Sequence, residues 1–198
     1  RVGQRIAVLM AGEGLDFLDR FRSQEDVIAY WRSGQALPDG STLDVAAGRP
    51  EGFVTVGKPV TPRELDECER RAGVRVEPGD VVVVRSGDAA FRRANPDWVP
   101  RVSPHPGLHL ACLEWFRSKD IAAIAWDMMD ERPSGYPGFG MAVHLAIPFL
   151  GLALVDNVDP ERLAQACAEH GRNEFLFTAT PLRLVGATGA PAHPIAIF

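Results

Sequence analysis

The chain has 198 residues, enough for one sizeable domain with its own hydrophobic core. Hydrophobic residues make up 46% of it and charged residues 24%, close to globular averages, which argues against extensive disorder. The formal net charge of −5 and the lack of any basic run argue against a nucleic-acid partner. No stretch approaches the ~20 apolar residues that span a bilayer, so no membrane association is expected.

The cysteines indicate a reducing compartment. Cys68, Cys112 and Cys167 are odd in number, far apart and without CxxC spacing, which argues against a disulfide framework or a structural zinc site. All three fall in stretches predicted to be helical, so we expect buried, reduced thiols. This expectation favours a cytoplasmic location.

Residues 1–39 are predicted to form a helical N-terminal segment, with Leu15, Leu18 and Phe21 on one helix face. The chain has no initiating Met, and we expect it to begin inside a longer reading frame.

From residue 40 onward the pattern alternates between strands and helices. Helices are predicted at 61–72, 107–119, 141–150 and 159–170, and strands at 42–45, 80–85, 121–126, 152–155, 174–180, 182–185 and 195–197. The firmest helix start is at residues 61–64 (TPRE), where a capping Thr, a first-turn Pro and a Glu combine. Residues 87–106 predict a long loop with room for one short helix. The alternation predicts a single α/β domain over residues 40–198.

His144 is the most unusual polar residue of the chain. It lies in an otherwise apolar predicted helix, four residues before Pro148, which cannot donate the usual helical hydrogen bond to the His144 carbonyl. A core histidine bonded to the backbone is the simpler interpretation, and a functional ring at a helix break is the alternative. The five histidines show no HxH or HExxH spacing, and the one HxxxH pair, His105 and His109, is separated by Pro106 and Gly107, which argue against a helix that would place both rings on one face. Spacing alone therefore defines no metal site.

Two aspartates and two aromatic residues are further candidates. Asp127 and Asp156 each follow a predicted strand at its carboxyl end, where α/β proteins commonly place functional groups, although a turn or capping role is the simpler interpretation. Phe91 and Trp98 in the loop 87–106 are candidates for lining an apolar substrate pocket.

Several segments carry a family resemblance through their order and spacing. Residues 73–87 (GVRVEPGDVVVVRSG) form a strand pattern ending in Arg-Ser-Gly, and residues 106–108 (PGL) open the next helix pattern. Residues 121–127 (IAAIAWD) follow, then His144 with an apolar run, Gly151 and the acid at 156, and finally the tail 174–198. Together they resemble the metal-dependent cyclase family that includes kynurenine formamidase, with Ser86 where that family usually has Thr.

The resemblance implies a swivelling β/β/α fold that binds one or two divalent metals, usually zinc or manganese, and hydrolyses small amides, lactams or lactones. His144 matches a metal ligand, and Asp156 matches the position of a metal-binding Glu, with a side chain shorter by one methylene, roughly 1.5 Å. The family's His-x-Gly-Thr-His-x-Asp motif lies N-terminal to everything matched and is absent from this chain. The resemblance also implies a homodimer or homotetramer.

The number of ligands decides which mechanisms are open. Catalytic zinc generally takes three protein ligands, whereas His144 and Asp156 supply two at most. We therefore expect an N-terminally incomplete view of an active enzyme, one polypeptide of a split enzyme, or a relative that has lost its metal.

Three functions follow as hypotheses. The first is metal-dependent hydrolysis of a small molecule, with Asp127 supporting the ligands without touching the metal. The second is cyclisation or dehydration in a secondary-metabolite pathway such as polyketide tailoring, with Phe91 and Trp98 lining the pocket. The third is a catalytically inactive binding relative.

Overall fold

The computed structural model describes residues 40–100, 102–128, 130–138 and 140–198, so the predicted N-terminal segment lies outside the described residues. The six strands are β1 (Gly40–Asp44), β2 (Val81–Arg85), β3 (Ala123–Trp126), β4 (Ala153–Val155), β5 (Glu174–Pro181) and β6 (Ala192–Ile197). The α-helices are α1 (Pro62–Ala72), α2 (Asp88–Ala94), α3 (Cys112–Lys119), α4 (Ala146–Leu150) and α5 (Glu161–His170), with 3₁₀ turns at Ala46–Gly48 and Val143–Leu145. None of these helices combines the length and apolar character needed to cross a membrane.

All six strands form one sheet in the order β4-β3-β2-β1-β5-β6. Strands β1 to β4 run parallel, β5 pairs antiparallel with β1, and β6 pairs antiparallel with β5. The register aligns Val81 with Ala123 and Ala123 with Ala153, so the carboxyl ends of β2, β3 and β4 lie at the same edge of the sheet. The fold is therefore α/β, as the alternation of elements predicts.

The sheet is buried on both faces. Val82 and Val84 of β2 point into the main core beneath α1 and α3, whereas Val81 and Val83 point into a second core with Phe175 and Phe177. Because alternate residues of a strand face opposite sides, a central strand covered on both faces needs a continuous apolar sequence. The run of four valines in β2 meets that requirement.

Helix α1 begins where the sequence predicts, although its cap differs. Pro62 is the first helical residue and Gly73, with φ at 68°, ends the helix in the left-handed conformation. The Thr61 side chain makes no capping hydrogen bond. Glu64, the expected capping-box partner, instead binds the Arg49 guanidinium through both oxygens at 2.6 and 2.7 Å. A two-bond ion pair outcompetes the weaker capping bond.

Three predicted elements differ in the structure. The helix predicted from residue 107 begins only at Cys112, because the Leu108 backbone is engaged in bridges to Val60 and Asp130. The helix predicted over 141–150 is a 3₁₀ turn followed by α4, and it ends at Gly151. The strand predicted at 182–185 is wrong, since β5 ends at Pro181 and the chain is irregular until β6. Its apolar residues are largely exposed and have no neighbouring strand to pair with.

Candidate metal site

Three polar side chains meet beyond the carboxyl ends of β3 and β4. His144 lies in the 3₁₀ turn before α4, Asp130 follows β3, and Asp156 follows β4 directly. The His144 ring lies between the two carboxylates, with Nδ1 2.5 Å from Oδ2 of Asp130 and Nε2 2.9 Å from Oδ2 of Asp156. The fold thus joins the two residues that the family resemblance implicates, although twelve positions separate them in the chain.

Asp130 is the member of this group that sequence reasoning missed. Its side chain is only 1% exposed. Oδ1 accepts hydrogen bonds from the backbone N–H groups of Val143 and His144, the latter at 3.2 Å. The available signal was its position three residues after Asp127, in the segment that follows β3.

Asp156 is held from the side by Trp126, the last residue of β3. The Trp126 side chain is fully buried, and its indole Nε1 donates a hydrogen bond to Oδ1 of Asp156. Its ring also lies against the His144 ring, with centroids 5.9 Å apart. Each Asp156 oxygen therefore has a different partner.

The electrostatics favour opposite charges on the imidazole and the carboxylates. Hydrogen bonds to Asp130 and then Asp156 raise the pKa of His144 to about 10, against the opposing effect of burial. Burial alone would raise the pKa of Asp156, but the hydrogen bonds from His144 and Trp126 lower it below its usual value. Without a bound cation, the charged imidazole forms ion pairs with both carboxylates, of which Asp130 is buried and Asp156 is partly buried.

The structure places Asp127 at a turn. Its carboxylate is 5% exposed and accepts three backbone hydrogen bonds, from Ser86 and Gly87 at 2.7 and 2.8 Å and from Asp88 at 3.0 Å. Burial raises the pKa of the Asp127 carboxyl, and the three donors oppose that shift. The contact with His144 that a supporting carboxylate would make is made by Asp130.

The two aromatic candidates pack with each other. Phe91 is buried in the main core, with its ring edge-to-face against Phe53 and Trp98 at centroid distances of 5.8 and 5.5 Å. The Trp98 indole donates to the carbonyl of Pro104. These contacts stabilise the loop after β2, and a role for either ring in binding substrate stays a prediction.

The residues at this site fit a divalent cation in part. An imidazole nitrogen and a carboxylate oxygen are donors that zinc and manganese accept. Two atoms bound tetrahedrally to one cation at about 2.0–2.1 Å lie roughly 3.3 Å apart, so Nε2 and Oδ2, at 2.9 Å, need to separate only slightly. Among the described residues no group of three or more His, Cys, Asp or Glu side chains is arranged to hold a metal, because Asp130 faces the other ring nitrogen.

Fold and site together define an α/β protein with a candidate metal centre at the carboxyl edge of a mostly parallel sheet. The Cyclase family model, described as "Putative cyclase", matches residues 25–131, more than half of the chain. The chain therefore belongs to the cyclase family. No curated protein matches it by sequence.

Solved structures share the fold. A crystal structure described as a novel cyclase is 26% identical with a TM-score of 0.66, and the match covers 82% of this chain and 54% of that one. An isatin hydrolase bound to the product analogue thioisatinate is 16% identical with a TM-score of 0.59, covering 80% and 59%. A predicted metal-dependent hydrolase from Bacillus stearothermophilus is 15% identical with a TM-score of 0.52, covering 81% and 63%. The chain thus spans between half and two thirds of these structures.

Proposed function

We propose that this chain contributes to a divalent-metal-dependent hydrolase that acts on a small amide, lactam or lactone. The observation that carries the proposal is the 2.9 Å contact between His144 Nε2 and Asp156 Oδ2, made by residues from two separate elements at the carboxyl edge of the sheet. Membership of the cyclase family supports it, as does the description of structural neighbours as metal-dependent or isatin hydrolases.

The roles of the chain's own residues follow from their contacts. His144 Nε2 and Asp156 Oδ2 are the proposed ligands of a zinc or manganese ion, and any further protein ligand would come from outside the described residues. A cation bound there supplies Lewis acidity, which polarises a substrate carbonyl and brings the pKa of a water to about 7. Asp130 and Trp126, which contact the two proposed ligands, are buried, and this lowers the local dielectric and strengthens electrostatic effects at the site.

Metal analysis of the full-length protein tests the proposal. We expect zinc or manganese in the purified wild type, and at least about 10-fold weaker binding in His144→Ala and in Asp156→Ala, since each loses a ligand. His170→Ala is the matched control, because His170 is exposed at the C-terminal end of α5, just before β5 begins beside the amino end of β1. A wild type without metal, or unchanged metal content in His144→Ala, would remove the proposal.

Turnover is tested separately, with a panel of small amides, lactams and lactones. We expect hydrolysis that a chelator abolishes and that added zinc or manganese restores. A full-length protein that binds metal through His144 but hydrolyses none of the panel would favour the alternative of an inactive binding relative. That alternative draws support from the finding that only two candidate ligands meet among the described residues.

A further inference from the structure

We propose that Asp130 and Trp126 are positioning residues of the metal site, each fixing one of the two proposed ligands. The inference rests on the proposed function, because positioning has meaning only if His144 and Asp156 bind a cation. Neither Asp130 nor Trp126 is assigned as a ligand itself.

Asp130 controls the orientation of the imidazole. One of its oxygens accepts the backbone N–H groups of Val143 and His144, and the other contacts His144 Nδ1 at 2.5 Å. The same carboxylate thereby holds both the backbone and the ring of the ligand residue. Because Nδ1 is engaged, Nε2 is the nitrogen presented to Asp156 and to a cation. A carboxylate behind a ligating histidine fixes the ring and raises its basicity.

Trp126 controls how the carboxylate binds. Ala125 and Val155 are paired in the register of β3 and β4, so Trp126 and Asp156 occupy the next positions on neighbouring strands. The buried indole donates to Oδ1 of Asp156, which leaves Oδ2 for the side facing His144. The indole therefore restricts Asp156 to binding through one oxygen. This restraint comes from the sheet itself, since the indole is locked in the main core.

Two conservative variants of the full-length protein test the two positions. Asp130→Asn keeps an oxygen for the backbone donors but presents an amide to Nδ1, and Trp126→Phe removes only the indole donor and some volume. We expect Zn²⁺ affinity, measured by calorimetric titration of the metal-free proteins, to fall by about 10- to 100-fold in each.

Matched controls separate positioning from general damage to the fold. Trp115→Phe also removes an indole–carboxylate bond, here to Asp66 at 2.8 Å between α3 and α1. Asp80→Asn changes another buried aspartate, one at the amino edge of the sheet. We expect both controls to bind Zn²⁺ within about twofold of the wild type, because Trp115 bonds between α3 and α1 and Asp80 lies at the amino edge of the sheet.

The visible absorption of the Co²⁺-substituted protein provides a second readout that loss of stability alone would not change. With the indole removed, Asp156 can bind through both oxygens, and the higher coordination number should weaken the Co²⁺ bands in Trp126→Phe but not in Trp115→Phe. The inference would be overturned by unchanged affinity and spectrum in Trp126→Phe together with unchanged affinity in Asp130→Asn. If His144→Ala still weakened metal binding in that case, the proposed function would stand. A wild type that binds no metal would overturn the proposed function as well.

Discussion

Asp127 is a buried carboxylate whose hydrogen-bond partners in the turn after β2 are all backbone amides, those of residues 86–88. Asp130, three residues later, is equally buried but bonds to a side chain as well as to backbone. The two aspartates thus have different tasks although both follow β3. Asp127 holds the turn after β2 against the end of β3, and Asp130 fixes the ring of His144.

The role of Asp127 predicts a large loss of stability without its carboxylate. Asp127→Ala leaves up to three buried backbone donors without their acceptor, and each unsatisfied group costs about 1–3 kcal/mol, so we expect a loss of about 3 kcal/mol after partial rehydration. Urea unfolding followed by circular dichroism measures the change. Asp97→Ala, at an exposed position, should stay within about 0.5 kcal/mol of the wild type. Equal stabilities of the two variants would contradict this role.

The turn that joins β2 to α2 is the element that most depends on close packing of backbone. Gly87, the residue before α2, has φ at 83°. A Cβ atom there would lie 2.6 Å from the carbonyl oxygen of Gly52 and 2.9 Å from Cβ of Phe53. Both the left-handed conformation and the close approach of the 52–53 segment therefore require glycine.

Gly87→Ala is expected to destabilise the protein by at least about 3 kcal/mol, through strain at positive φ and a clash with backbone. Gly57→Ala is the matched control, because Gly57 also has positive φ, at 75°, but a Cβ there meets nothing within 4 Å. The control should lose only about 1–2 kcal/mol. Thermal and urea unfolding of both variants give the difference, and similar losses would show that the close contact carries no cost.

At the scale of the whole molecule, one sheet separates two cores. Cys68 and Cys112 belong to the main core and Cys167 to the second, and all three are buried free thiols. Burial raises the pKa of Cys68 to about 11 and that of Cys112 to about 12, and it also raises the pKa of Cys167. The thiols are therefore protected both by lack of access and by a low thiolate fraction.

This arrangement predicts that the three thiols are labelled together. If both cores unfold as one cooperative unit, iodoacetamide in increasing urea should modify all three cysteines over the same transition, as peptide mass spectrometry of the labelled protein would show. Labelling of Cys167 at urea concentrations that still protect Cys68 and Cys112 would contradict the prediction. Such a result would mean that the second core, which α5, β5 and β6 help to form, unfolds independently of the main core.

The sequence by itself determined the α/β class and most elements, because those features depend on local patterns. The four valines of β2 and the start of α1 at Pro62 are visible in consecutive residues, and both are present in the structure. Prediction from local patterns failed where contacts with residues distant in sequence determine the local structure. Leu108 leaves the predicted helix because of its bridges to Val60 and Asp130, and residues 182–185 have strand composition but no strand beside them.

The candidate site likewise combines residues that the sequence indicated with contacts that only the tertiary structure determines. His144 and Asp156 were found through the order of family segments, and Asp127 through its place at a strand end. Only the tertiary structure revealed Asp130 as the partner of His144 and Trp126 as the partner of Asp156. These contacts join residues that are 14 and 30 positions apart in the chain. Hydrogen bonds over such separations depend on strand register and on the path of the loops, which pack into place only when the whole sheet forms. The sequence therefore indicated the two proposed ligands through a family resemblance, and the fold decided which residues hold those two side chains in place.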